Sequence, residues 1–175
     1  MAVLFKRQDP YITRGIDGRF KVDENGSKVF RTAEDKYNEQ VVKDFIEKRM
    51  GVSLFEVGDK FCKIDWQVRK NNKVVGFVES KVKQIGEHQF SDYFLSQSKL
   101  NALLDASFIW RVPSVFVWGL VDPRNKNDAI RSLRVDTFDF SKVVLEIDGT
   151  RRRVKSKYDQ ELIYKIPVSL TNKLC

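Results

Sequence analysis

Between residues 61 and 84 the chain alternates apolar and polar side chains in two runs, broken by Lys70-Asn71-Asn72-Lys73. Runs rich in β-branched and aromatic residues around a polar break predict a β-hairpin. In the first run Cys62, Ile64, Trp66 and Val68 share one face, and Lys63, Asp65, Gln67 and Arg69 share the other. In the second, Val75, Phe77, Glu79, Lys81 and Lys83 fall together, opposite Val74, Gly76, Val78, Ser80 and Val82. A three-residue loop at Asn71–Lys73 pairs Lys70 with Val74 and sets Asp65 directly across from Glu79. Lys81 then lies one diagonal step away. A two- or four-residue turn would set Asp65 opposite Val78, unless a bulge restored the register.

Helical signals flank this hairpin. Residues 32–50 predict a helix, with Thr32 and Asp35 at capping-box spacing and Gly51 placed to stop it. Glu34 and Asp35 at its start and Lys48 and Arg49 at its end suit the helix dipole. Tyr37, Val41, Val42, Phe45 and Ile46 supply an apolar face, and Glu39 borders it. Ser91 caps a second helix running to about Ser107, with Leu95, Leu100, Leu103 and Leu104 inside. Gln97 and Lys99 sit near its inner half.

Strands fill the rest. Ser53–Val57 predicts a first strand, and the nearly all-apolar Val112–Val121 a buried one ending at Asp122-Pro123. Ser132–Phe138, Val143–Ile147 and Leu162–Val168 follow, with Asp148-Gly149 as a turn. Residues 1–31 carry turn chemistry and a candidate hairpin at Asn25-Gly26, which reads as an arm or a lid on the core. The expected architecture is mixed α/β (α+β): a central mixed β-sheet flanked by helices over residues 32–175, with a basic C-terminal β extension.

Composition narrows the function. At 175 residues and 42% hydrophobic, the chain can bury a core of its own. No apolar run approaches the roughly 20 residues of a membrane span, and the first residues lack the features of a secretory signal. The expectation is a cytoplasmic protein with no membrane partner. Two distant cysteines and one histidine, His88, argue against Cys/His zinc sites and histidine-assisted nucleophiles. A formal net charge of +8 favours a polyanion, nucleic acid first. Arg151, Arg152, Arg153, Lys155 and Lys157 form the densest positive stretch, and with Lys83 they are the candidate contacts to a nucleic-acid backbone. Trp66, Trp110 and Trp118 are expected in the core.

The facing acids carry the chemistry. Two carboxylates about 5 Å apart at an effective dielectric near 20 repel by on the order of 3 kcal/mol. Ordinary cross-strand pairing contributes less than that. A divalent cation, a raised carboxylate pKa or a bent strand would each offset it.

This order, with Asp65 on one strand and Glu79-Ser80-Lys81 on the next, resembles the PD-(D/E)xK nuclease superfamily over about residues 32–122. The stretch Asp159-Gln160-Glu161-Leu162-Ile163-Tyr164-Lys165-Ile166-Pro167 is similar to the end of small phage-encoded members. Ile64 stands where proline is usual, and a second acid-x-Lys triplet, Glu34-Asp35-Lys36, is a helix-capping feature. The resemblance implies a restriction-endonuclease-like core and a Mg²⁺- or Mn²⁺-dependent nuclease acting on DNA, with RNA left open. The setting it implies is phage DNA replication, recombination or host-DNA degradation. It further implies Asp65 and Glu79 as metal ligands with the Ser80 carbonyl, and Lys81 orienting water and stabilising phosphate charge. Glu39 would hold a second ion or its water, and Lys99 or Gln97 would reach the phosphate. Two cuts by a one-site domain imply a homodimer. A non-catalytic nucleic-acid-binding protein on the same scaffold is the alternative, although phosphate binding alone gains nothing from two facing carboxylates.

Overall fold

The computed structural model describes residues 5–6, 33–57, 63–122, 127–149 and 160–175. Of the expected arm, only Phe5 and Lys6 fall among them; Cys62 and the basic stretch Arg151–Lys157 lie outside the described residues.

Strand β1 (Ser53–Glu56) pairs with β2 (Trp66–Lys70), and β2 pairs with β3 (Lys73–Lys83), both antiparallel. Asn71 and Asn72, with φ of 49° and 61°, form a two-residue turn. Positive φ at both central positions is the geometry that matches hairpin twist, and asparagine tolerates it. That turn pairs Lys70 with Lys73 rather than with Val74. The register then shifts between Arg69↔Val74 and Val68↔Gly76, leaving Val75 as one extra residue on β3. Beyond this bulge Gln67 faces Phe77 and Trp66 faces Val78, which carries Asp65 to the position opposite Glu79. The expected facing is reached by a shorter turn plus a bulge.

Strand β5 (Ser114–Leu120) runs parallel to β3, with Glu79 beside Phe116 and Lys81 beside Trp118. Strand β6 (Ala129–Arg134) and the short β9 (Asn172–Lys173) complete a six-stranded mixed sheet in the order β1-β2-β3-β5-β6-β9. The expected strand at Ser132–Phe138 begins earlier, at Ala129, and gives way to a 3₁₀ turn at Val135–Thr137.

Helix α1 (Ala33–Met50) covers one sheet face. Val42, Phe45 and Ile46 pack there with Leu54, Trp66, Val78, Val117, Val121 and Ile130. Tyr37, expected on the apolar face, is exposed, and the neighbouring Asn38 is buried instead. The Asn38 amide donates to Lys6 O and its carbonyl oxygen accepts from Lys6 N, at 2.8 and 2.7 Å, so the buried polar group is satisfied. Gly119 lets α1 approach closely. A Cβ there would meet Val42 Cγ2 at 2.9 Å and Val82 Cγ2 at 3.2 Å. Gly119→Ala should therefore lower the unfolding free energy in urea by about 1–3 kcal/mol. Gly86→Ala, whose Cβ would meet only ordinary contacts at 3.5 Å and beyond, should leave it nearly unchanged.

The second helix is shorter at its start than expected. Residues Asp92–Ser96 form strand β4, and α2 spans Gln97–Trp110 with Ser96 as N-cap. Strand β4 pairs with β8 (Gln160–Pro167), which pairs with β7 (Val144–Gly149), giving a second antiparallel sheet in the order β4-β8-β7. Asp148-Gly149 ends β7 rather than forming a turn, with Asp148 opposite Glu161. Leu100 and Leu103 of α2 join Phe77, Tyr93, Leu95, Phe116, Trp118, Leu120 and Ile166 in the core on the face opposite α1. Glu87 is buried and ion-paired with Arg131 and Lys173, tying the loop after β3 to β6 and β9. His88 is exposed in that loop.

Candidate active site

Strand β2 stops at Trp66, so Asp65 leaves the ladder just where it faces Glu79. The Asp65 carbonyl accepts from Val57 N at 3.1 Å, which extends the contact with β1 by one residue. Beyond this point the β2-side edge of β3 has lost its partner strand, and the Asp65 side chain fills in. Its Oδ2 accepts from Ser80 N at 2.9 Å and from Ser80 Oγ at 3.1 Å. In return, Asp65 N donates to Glu79 Oε2 at 3.0 Å. Each carboxylate is thus held by a backbone N–H of the opposing chain.

Glu79 is fully buried and Asp65 half-buried. An uncompensated buried carboxylate would be costly. The counter-charge comes from α2: Lys99 Nζ is ion-paired with Glu79 Oε1. Two backbone donors and an ammonium together offset the repulsion expected from the facing acids.

Lys99 reaches Glu79 because α2 begins just after Ser96, which sets Lys99 in its first turn, one residue before the buried Leu100. The first turn of α2 contains no acidic residue, whereas that of α1 has Glu34 and Asp35. A lysine near the positive end of a helix is locally unfavourable by roughly 0.3–1 kcal/mol, so its partner must hold it there. Burial pushes the Lys99 ammonium below its usual range, and the negative charges of Asp65 and Glu161 pull the other way.

Lys81 and Lys83 follow Glu79 at alternate positions on the same face of β3, a spacing of about 7 Å per step. Lys81 is exposed, so the ammonium on the carboxylates is that of Lys99. Lys83 is pushed down to about 8, first by burial and then by the Lys81 charge, with Glu161 opposing both. Glu161 was missed in the sequence. It lies on β8, and its Oε2 accepts from Ser96 Oγ at 2.6 Å.

The other expected residues stand further out. Gln97 is half-buried at the start of α2. Glu39 is half-buried on α1, so the sheet lies between its helix and the face that carries Glu79. Trp66 and Trp118 are core residues as expected. Trp110, at the end of α2, is largely exposed and meets Phe77 edge-on at 6.1 Å, because the helix runs past the sheet before Arg111 ends it in the left-handed region. No described helix is long and apolar enough to cross a membrane.

Among the described residues no three His, Cys, Asp or Glu side chains gather as a metal cluster. Two carboxylates are enough for Mg²⁺, which keeps several waters and takes the rest of its shell from substrate phosphate. The Lys99 ammonium on Glu79 Oε1 marks a position where a cation is stable. The hard oxygens of Asp65 and Glu79 fit such an ion.

Residues 26–174 match the model of a protein family described as "Phage putative PDDEXK endonuclease". Among solved structures, the chain is similar to Hjc, a Holliday junction resolvase from the archaeal hyperthermophile Archaeoglobus fulgidus. Sequence identity is 15%, the alignment covers 79% of this chain and 92% of that one, and the TM-score is 0.46. No curated protein sequence matches the chain.

Proposed function

The chain belongs to this family of phage PDDEXK endonucleases, and on that premise we propose that it hydrolyses DNA phosphodiester bonds with a divalent metal at the Asp65–Glu79 site. The reciprocal bonding of Asp65 and Glu79 to each other's backbone, with Lys99 on Glu79, is the observation that carries this reading. A fold needing only stability gains little by burying an ion pair where apolar side chains would serve as well.

Asp65 and Glu79, with the Ser80 carbonyl, would hold Mg²⁺ or Mn²⁺. Bound there, the ion supplies Lewis-acid polarisation of the scissile phosphate and lowers the pKa of a water. Lys81, exposed beside the carboxylates, orients the attacking water and stabilises charge developing on the phosphate oxygens. Lys99 turns from Glu79 to the phosphate as substrate enters. Lys83 takes the backbone further along β3. Arg151, Arg152, Arg153, Lys155 and Lys157 would take further phosphates of the backbone. Gln97, at the start of α2, would make a supporting contact at the margin of the site, and the setting is phage DNA metabolism.

Incubation with linear, nicked, branched and single-stranded DNA, with Mg²⁺, Mn²⁺ or EDTA, tests the proposal. Cleavage of at least one form that stops in EDTA is expected, with Lys81→Ala slowing it by about 10²–10³-fold. Binding without cleavage under every metal condition would instead make the chain a non-catalytic nucleic-acid-binding protein. Cleavage unchanged in Lys81→Ala would remove that lysine from its role.

A further inference from the structure

Lys6 stands 32 residues before Asn38, yet the side-chain amide of Asn38 is used wholly on its main chain. Lys6 N donates to Asn38 Oδ1 at 2.7 Å and Asn38 Nδ2 donates to Lys6 O at 2.8 Å. This is the paired exchange that a neighbouring strand would offer. Gln84 Nε2 donates to the same carbonyl at 3.4 Å. These contacts read the main chain and ignore the side chain. The side chains are met separately. Phe5 is 5% exposed, and its ring and the methyls of Val42 and Val82 converge over Gly119. The Lys6 ammonium leaves the groove and stands 4.3 Å from the centre of the Tyr37 ring, at the surface.

The strand beneath this groove is the least supported part of β3. Pairing with β2 ends at Val78, whereas pairing with β5 continues to Lys83. Past Val78, β3 keeps a strand on one edge only. Val82 packs on the α1 face, and Lys81 and Lys83 on either side of it point to the other. Phe5, packed with Val42 of α1, therefore backs the stretch that carries both lysines. Without the segment the Asn38 amide, 1% exposed, would be buried and unpaired.

We propose that the groove between α1 and the ends of β3 and β5 is a peptide-binding site, filled by the chain's own Phe5-Lys6. It takes an extended peptide that inserts an aromatic side chain, and it holds the next residue through its main chain. Filled, it braces the strand that presents Lys81 and Lys83. The contacts are non-covalent and confined to this short segment, so the same segment supplied as a free peptide replaces it. Nothing in this depends on the nuclease reading.

Hydrogen exchange of the full-length chain provides the test without any activity. Phe77 N donates to Pro113 O and Lys83 O accepts from Val121 N, so by alternation the amides of Lys81 and Lys83 turn to β5 as that of Phe77 does. Phe5→Ala should speed exchange at Lys81 and Lys83 by about 10²-fold, the lower end for truncating a buried phenylalanine, and leave Phe77 nearly unchanged. An excess of a synthetic peptide spanning Ala2–Asp9 should return both rates toward wild type. The same peptide with alanine in place of Phe5 should not. Lys6→Pro removes the N–H donated to Asn38 and should act in the same direction, and it decides the question if Phe5→Ala unfolds. Lys6→Ala keeps that N–H and should change exchange by no more than about fivefold. Equal acceleration at Phe77 would make Phe5 ordinary core packing and overturn the proposal. So would unaltered rates, rates that the peptide fails to restore, or Lys6→Pro behaving as Lys6→Ala does.

Discussion

Glu79→Gln should reduce metal-dependent cleavage by about 10³-fold or more while leaving the protein folded. Glutamine keeps an oxygen for the Asp65 N–H and nearly the same volume, so the core around β3 is retained. It removes the charge that holds a divalent ion. Lys99, about a third exposed, can swing its ammonium to water when its partner is neutralised. Calorimetric titration with Mg²⁺ or Mn²⁺ provides the check independent of turnover. Equal affinity in wild type and Glu79→Gln would sink the metal assignment, whatever the cleavage assay gave.

The reverse substitution should be costly in stability. Lys99→Met leaves the Glu79 carboxylate fully buried with no ammonium beside it, and glutamate on a central strand cannot turn outward. Breaking a wholly buried pair costs about 3–5 kcal/mol. With a third of Lys99 exposed, about 2 kcal/mol is expected in urea unfolding without metal. Divalent metal should recover much of this, because the ion replaces the missing positive charge and binds only the folded form. Metal should therefore stabilise Lys99→Met more than wild type. A variant as stable as wild type in EDTA would show that the ammonium contributes nothing to the fold, and a loss that metal fails to repair would separate Lys99 from the cation site.

How these two residues came together was only half legible in the sequence. Alternation, which is local and has period two, put Glu79, Lys81 and Lys83 on one face, but the facing of Asp65 and Glu79 was inferred from a three-residue loop and is reached instead by a two-residue turn and the Val75 bulge. Helix α1 was legible because its signals are local as well: its charged ends, apolar face and terminal glycine all lie within one short stretch. Strand β4 was not. Tyr93 and Leu95 point inward because β8 pairs with them from some seventy residues further along, and Leu95 fits the spacing of the helical leucines that follow it. Reading the helix from Ser91 placed Gln97 and Lys99 in mid-helix, with only the resemblance to phage members favouring Lys99. With the start at Ser96, Lys99 lies in the first turn beside Glu79. Glu161 was hidden for a related reason, since its partner Ser96 is 65 residues away and nothing in either local stretch announces the contact. The one local sign was a first turn of α2 lacking acid and carrying a lysine.

The Asn71-Asn72 turn and the Val75 bulge also set a counting rule for the chain between its two acids. Side chains on a strand change sides with each residue, so that interval has a parity. Straightening the ladder with Val75 in place would set Asp65 opposite Val78, whereas deleting Val75 would close the bulge and keep Asp65 opposite Glu79 over the same two-residue turn. The facing of the two acids therefore depends on how one odd residue is absorbed, at the tip or in the bulge, and not on the length of the hairpin.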